Sequence, residues 1–365
     1  MTIFLIHENS GWTRAKPFAN PHIFTGPIHS PLASNLPMQT RSLGYEGPLV
    51  SEISFGGWVI GSDRGPQSEQ ESIAALRAAL DRGVNLIDTT ADSGDSLSEQ
   101  IIGRSLREQT EDVFVASKIQ PSSGPWPPSP YCRWQDRYSA AYLRERVHER
   151  LNHLQKDQID LLQLQTWTAA WNDDPQPLLV LKQLQQEGKI DKIGINAPEQ
   201  DQSCVIQLMR DGLVDTVQII FNLFQQEAAS QILPVAQETG TGVLVRVPLD
   251  EGSLSGTYPA DHQFAGSDYR SQYFAGDRQH RTAERVQQIR SDLESFGIEE
   301  QYSMTDVALK FILARNEVSS ILVSMRTVDQ VERHCRAAGR RDLSPEILQH
   351  LQRHNWRKGI WYSGK

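Results

Sequence analysis

The chain has 365 residues, 38% apolar and 22% charged, with 36 Lys and Arg against 45 Asp and Glu for a formal charge of −9. That balance offers no basic field to nucleic-acid phosphates, and no apolar run nears the roughly 18 residues that span a bilayer, so neither nucleic acid nor a membrane is expected as a partner. Cys132, Cys204 and Cys335 are widely spaced and form no CxxC pair, which suits a reduced, cytoplasmic protein.

Residues 1–37 are proline-rich with few periodic apolar positions, and read as an extended, partly disordered arm. The opening MTIFLI has no basic region before it, so a signal peptide is not expected. From Met38 the segment MQTRSLGYEGPLVSEISFGG predicts two short strands around a Gly-Pro turn, then a buried strand. A regular alternation follows. Strands are expected at Glu52–Gly56, Val84–Asp88, Val113–Lys118, Ile159–Gln165, Lys192–Asn196, Val217–Asn222, Val243–Val247 and Ser320–Ser324. Helical patterns lie between them at Glu69–Asp81, Ser98–Arg107, Ala140–Leu154, Pro177–Glu187, Glu199–Arg210, Ala229–Thr239, Arg281–Phe296 and Met304–Ala314, and Val328–Ala338 closes the series. The tail Gln349–Trp361 reads as helix and then aromatic, able to fold back on the body of the protein.

Short apolar strands alternating with amphipathic helices predict an α/β chain folded as a (β/α)8 TIM barrel over residues 38–365. The strands are continuous apolar runs, as buried parallel strands are. An open doubly wound sheet is the competing fold; no GxGxxG follows any strand, which argues against it. Three insertions follow strands and so fall on the C-terminal face, where barrel enzymes keep their chemistry: Gln120–Arg137, Gln165–Asp174 and Asp250–Asp277. Loops of this length commonly line a site, and the aromatic-rich WPPSPYCRW within the first is a candidate lid.

Two strand ends carry charge. Asp88 closes NLID and Lys118 closes VFVASK. An aspartate alone there is as readily a turn former. A lysine almost never points into a barrel mouth without a partner, so the two are expected to form an ion pair at the centre of a site. Gln165, closing IDLLQLQ, is either a satisfied polar terminus or an amide that hydrogen-bonds a carbonyl or amide. His350 and His354, four apart on a helix with no third ligand nearby in sequence, read as a solvated helix face rather than a metal site.

The chain resembles the aldo/keto reductase superfamily over nearly all of Gln39 to Tyr362. The motifs that carry the resemblance are GVNLIDTT…GDSLSEQIIGRSL, VFVASK, IDLLQLQ, LLVLKQLQQEGKIDKIGIN, VDTVQIIFNLF, GVLVRVPLDEGSLSG and SSILVSMRTVDQVERH, specific in this order and spacing. The resemblance implies a barrel that binds extended NADP(H) across the strand C-termini and reduces aldehydes or ketones with an Asp, a Tyr, a Lys and a His. Asp88 and Lys118 fall on the Asp and Lys. The Tyr position is Ser93 and the His position is Gln165, so the proton-donating half of the tetrad is replaced. Tyr131 or Tyr138 in a neighbouring loop is a candidate substitute phenol, and Lys118 or a water on Ser93 a substitute proton source.

The resemblance also implies cofactor contacts. Asn196, where serine is usual, and Gln218 match positions that hold the nicotinamide carboxamide, and Phe221 matches the aromatic ring stacked on it. Leu249, Glu251, Ser253 and Leu254 match the loop under the pyrophosphate. Arg326 matches the residue on the adenosine 2′-phosphate, Gln330 an adenine contact, and Ser324 and His334 stand for a glycine and an asparagine. Three functions follow as expectations: an NADP(H)-dependent oxidoreductase of a small-molecule substrate with an altered proton relay, a non-redox lyase, isomerase or cyclase on the same scaffold, or a catalytically silent NADP(H)-binding protein. Oligomeric state is not legible in the sequence.

Overall fold

The computed structural model describes residues 38–62, 67–91, 96–107 and 112–356. The expected arm, Ser93 and the end of the tail lie outside the described residues. Two short antiparallel strands, β1 (Thr40–Ser42) and β2 (Leu49–Ser51), precede eight parallel strands. These are β3 (Ile53–Gly56), β4 (Leu86–Asp88), β5 (Phe114–Ile119), β6 (Ile159–Leu164), β7 (Ile190–Asn196), β8 (Thr216–Ile220), β9 (Gly242–Arg246) and β10 (Ser320–Ser324). β10 pairs with both β9 and β3, so the sheet closes on itself. It is a (β/α)8 barrel, and the open-sheet alternative is excluded. Each barrel strand ends within two residues of its expected limits.

Eleven α-helices occur among the described residues: α1 (Glu69–Asp81), α2 (Leu97–Leu106), α3 (Ala140–Leu154), α4 (Gln176–Gln186), α5 (Ile206–Arg210), α6 (Ala228–Thr239), α7 (Arg270–Tyr273), α8 (Arg278–Ser295), α9 (Met304–Leu313), α10 (Val328–Ala338) and α11 (Pro345–Leu351). Starts are written locally: Ser68 with Glu71 and Ser303 with Asp306 form reciprocal capping boxes. The helix expected over Glu199–Arg210 is only its last turns. Gln202 instead lends its side chain to Ile220, accepting from the backbone N–H at 2.5 Å and donating to the carbonyl, so the chain enters as a 3-10 turn over Gln202–Val205. In the tail, Trp356 folds back with its ring edge-on to Phe224. His350 and His354 both turn Nε2 to Asp292 of α8, at 2.9 and 2.8 Å, and His354 is buried, so this face is packed rather than solvated.

Side-chain parity along the strands sorts the core into two parts. Ile87, Val115, Leu162 and their outward-facing equivalents pack against the helices. Leu86, Ala116, Leu161, Leu244 and Leu322 point inward and stack on Leu43 and Val50 of the β1–β2 hairpin, which plugs the lower end of the barrel. Two residues further along, the same inward series reads Asp88, Lys118, Gln163, Gln218 and Arg246. The barrel is therefore apolar below and polar at its mouth. Register keeps these residues level: Lys118 pairs with Gln163, and Asn196 with Gln218.

One outward polar residue ties the Lys118 strand to its helices. Ser117 donates to the fully buried Glu99 of α2, which also meets Arg150 Nη1 at 3.3 Å and His153 Nδ1 at 3.1 Å from α3. Burial pushes the Glu99 carboxyl above its usual range, with Arg150 opposing. The helices touch closely because Gly103 lies opposite the end of α3; a β-carbon there would stand 2.4 Å from the His153 carbonyl oxygen. Gly103→Ala should therefore lower stability by about 1–3 kcal/mol, the cost of overpacking, although the change favours an isolated helix. Urea unfolding checks this, and an unchanged midpoint would show that α2 and α3 separate without cost.

Candidate active site

The mouth of the barrel opens into a cavity of about 500 Å³. Asp88 and Lys118 lie on its floor, each 4% exposed. Lys118 Nζ donates to Asp88 Oδ2 at 2.5 Å and to the Thr89 carbonyl at 3.1 Å. The other carboxylate oxygen, Oδ1, accepts from Gln218 Nε2 at 2.9 Å and Gln163 Nε2 at 3.2 Å. Four strands thus converge on one carboxylate. An ammonium has three N–H donors, and two are engaged among the described residues. The expected ion pair exists and is more fully supported than the strand ends alone indicate: Gln163 was legible only through its parity with Lys118.

Most other expected residues line the same cavity: Gln165, Asn196, Gln218, Leu249, Glu251, Ser324, Arg326, Gln330 and His334. Phe221 does not. Gln218 faces inward, so Phe221, three residues on, has the opposite parity; it is fully buried and stacks on Phe311 of α9 with centroids 5.7 Å apart. It is a core residue, not a platform in the cavity. Ser253 and Leu254 are also buried behind the wall, where Ser253 Oγ donates to Asp250 Oδ2 at 2.7 Å. Tyr131 is 95% exposed, and Tyr138 is buried with its hydroxyl 3.3 Å from the Ile119 carbonyl, so neither phenol enters the cavity.

The lid is built by a different insertion from the one expected. Trp134 donates to Asp174 and Trp171 to the Cys132 carbonyl, both at 2.7 Å, so the first two insertions pack on each other beside the mouth. The third insertion crosses it. Its start is bent by a run of left-handed residues, Val247, Asp250, Glu251 and Gly252, conformations that cost non-glycine residues about 1–2 kcal/mol each. Further on, Tyr269 bonds Glu251 and sets its ring against Trp58, 6.0 Å between centroids, while Trp58 Nε1 donates to Ser324 Oγ at 3.1 Å on the far side. Tyr258 and Arg270 of this insertion line the wall, joined by a 2.9 Å hydrogen bond.

Sequence reasoning missed Arg246. It ends β9 two residues after the inward Leu244, and its Nη2 donates to the Ala197 carbonyl at 3.1 Å, across β8. With Lys118, Arg270, Arg326 and Arg333 it makes five cations in the wall against the carboxylates Asp88 and Glu251. Carboxylates offset three of them: Asp88 faces Lys118, Asp268 faces Arg270 and Asp329 faces Arg333.

The far end of the cavity is fixed by its own bonds. Arg326 Nε donates to Gln67 Oε1 at 2.9 Å, and its backbone N–H to Gln330 Oε1 at 2.7 Å. His334 is buried there, Nδ1 has no partner among the described residues, and burial, with Arg333 next to it, pushes the imidazole down to about 4.

The family model described as "Aldo/keto reductase family" matches residues 52–355. The chain belongs to that family. Among curated relatives it is similar to the aldo-keto reductase YhdN of Bacillus subtilis, 32% identical over 64% of this chain and 69% of that one. It is likewise similar to an L-galactose dehydrogenase of Arabidopsis thaliana, 28% identical over 82% and 88%. The fold matches the solved aldo-keto reductase AKR11C1 of Bacillus halodurans with a TM-score of 0.69 at 24% identity, over 88% of this chain and 98% of that one.

In this aldo/keto reductase the neutral state of His334 has a consequence for stability. A histidine whose folded value is depressed stabilises the fold fully above its ordinary value and loses that contribution as pH falls. The window here runs from 6.5 down to about 4, and the loss reaches about 3 kcal/mol at its lower end. His334→Asn should flatten the acid limb of stability between those pH values in urea titrations; the same slope in both proteins would contradict it.

Proposed function

We propose that the chain is an NADP(H)-dependent oxidoreductase that interconverts a carbonyl and an alcohol on a small molecule, with Lys118 as the proton donor. The observation that carries this reading is the buried Asp88–Lys118 pair on the floor of the cavity. Relatives named as oxidoreductases support the reaction class, among them an NADH-specific methylglyoxal reductase of Escherichia coli, 26% identical over 82% of this chain. A cytoplasmic setting goes with this reading, supported by three cysteines in no disulfide. No helix among the described residues is long and apolar enough to cross a membrane.

The residues present fit a dinucleotide. Asn196 Oδ1 and His334 Nδ1 are buried, without partners among the described residues, and both residues line the one cavity. Asn196 and Gln218 would hold the carboxamide, Leu249 and Glu251 would lie along the pyrophosphate, and Arg326, Gln330 and His334 would hold the adenosine end. NADPH, when bound, supplies the hydride. The chain supplies the rest. Asp88, fixed by Gln163 and Gln218, keeps the Lys118 ammonium in place. Lys118 bonds the substrate carbonyl oxygen and passes its proton there as negative charge develops. The amine so formed stays beside Asp88, which favours its return to ammonium. Arg270 and Tyr258 stand hydrogen-bonded in the same wall.

Arg326 decides between the two dinucleotides, because a guanidinium matches a phosphate monoester with two parallel bonds. Arg326→Ala should weaken NADPH by about 1.5–3 kcal/mol, the range for hydrogen bonds to charged groups, and leave NADH little changed. Fluorescence titration of both proteins with both dinucleotides measures this. Equal losses for the two would remove the 2′-phosphate from the account.

A further inference from the structure

The ion pair is held from behind by one turn of helix. Asp88 and Lys118 face inward, so their chain neighbours Thr89 and Ser117 face the helices. Both meet consecutive residues of α2. Thr89 Oγ1 lies 2.7 Å from Ser98 Oγ, and Ser117 donates to Glu99. Ser98 gives its one hydrogen to the Gly57 carbonyl at 2.8 Å, so Thr89 is the donor to it. Thr89, Ser98, Glu99 and Ser117 are all fully buried.

The two ties meet at the ammonium. Lys118 Nζ donates to the Thr89 carbonyl at 3.1 Å as well as to Asp88, and the Thr89 N–H donates to the Ala116 carbonyl at 2.8 Å. A shift of Thr89 or of Ser117 therefore moves one end of the pair against the other. Neutral hydroxyls hold the Asp88 side, whereas a buried carboxyl holds the Lys118 side. Burial raises the Glu99 carboxyl above its ordinary 4.5, against the opposing pull of Arg150, Ser117 and His153. A carboxyl so raised costs the fold stability once pH rises past that ordinary value. Apolar residues of similar volume commonly pack as well as a buried pair such as Glu99 and Arg150, 3.3 Å apart. Groups kept at such a cost cluster at functional sites.

We propose that Glu99 is a positioning residue: bonded to Ser117, and with Ser98 holding Thr89, it fixes where the Lys118 ammonium meets the carbonyl oxygen of the oxidoreductase reading, on which this inference rests. Glu99 does not line the cavity, so its effect reaches the site through β5. Arg150 and His153 of α3 hold its second oxygen, which aims Oε1 at Ser117. The quantity that depends on Glu99 is then the rate of the chemical step. Affinity for the dinucleotide does not depend on it, because Arg326, Gln330 and His334 stand at the far end of the cavity.

Glu99→Gln and Ser117→Ala test this by two readouts, one without cofactor. In hydrogen exchange on the cofactor-free protein, the Thr89 amide should exchange about tenfold faster in either variant. In single-turnover oxidation of NADPH with a panel of small aldehydes and ketones, the rate should fall about tenfold. That is short of the roughly 10²-fold that a 1 Å misplacement can cost, because Gln163 and Gln218 still hold Asp88. The dissociation constant of NADPH should stay within about threefold of the parent value. The double variant should be within about twofold of the slower single one, since both substitutions remove the same bond. Should Glu99→Gln not fold, Ser117→Ala carries the same two readouts. Faster exchange with an unchanged rate overturns the inference, and so does a slower rate with unchanged exchange. NADPH affinity falling by the same factor as the rate marks a general loosening of the barrel and overturns it too. Faster exchange at Thr89 in variants of a protein that oxidises NADPH with none of these carbonyls leaves Glu99 as the support of the ion pair and defeats the redox reading instead.

Discussion

A carboxylate almost wholly removed from water must be surrounded by donors, and Asp88 has three. Lys118 and Gln218 approach within 2.9 Å, Gln163 completes the set, and each comes from a different strand. Burying two charges costs several kcal/mol per ion even after relaxation, so only close geometry and further hydrogen bonds offset it. The arrangement is therefore intolerant of strand slippage. A shift of one residue in β5 would turn Lys118 toward the helices and Ser117 into the barrel, breaking both the ion pair and the Glu99 network. Barrel register and site geometry are set by the same contacts.

Much of this was legible because strands alternate. The runs LID and ASK place an apolar or small residue and then a charge on the same inward face, which locates the floor of a site without a structure. The same rule identifies Phe221 as facing the helices, three residues beyond the inward Gln218, and Arg246 as facing the mouth, two beyond Leu244. Family resemblance supplied the opposite assignment for Phe221, and counting parity corrects it. Two helix starts were equally legible, since Ser68 and Ser303 each stand three residues before the acidic partner of a capping box.

The loops were not. Nothing in the spacing of Asp250–Asp277 shows that Tyr269 reaches Trp58 across the mouth, or that Arg270 and Tyr258 share a wall with Lys118. Those positions depend on left-handed turns at Val247, Asp250 and Glu251, of which only the aspartate is a residue type enriched there. The aromatic insertion after β5 misled for a related reason. Its tryptophans have good partners in the neighbouring loop, and composition alone does not separate a loop that packs sideways from one that closes over a cavity.

In the function proposed, the Asp88 carboxylate keeps the Lys118 ammonium where a ligand oxygen can take its proton. The most direct measurement is the comparison of Asp88→Asn with the parent chain in NADPH affinity and in kcat/KM for carbonyl reduction, at matched pH. The substitution keeps shape and removes charge. The account predicts NADPH affinity within about threefold and kcat/KM lower by about 10²–10⁴, the range for a displaced proton donor. Undiminished reduction with Asn at this position would contradict it.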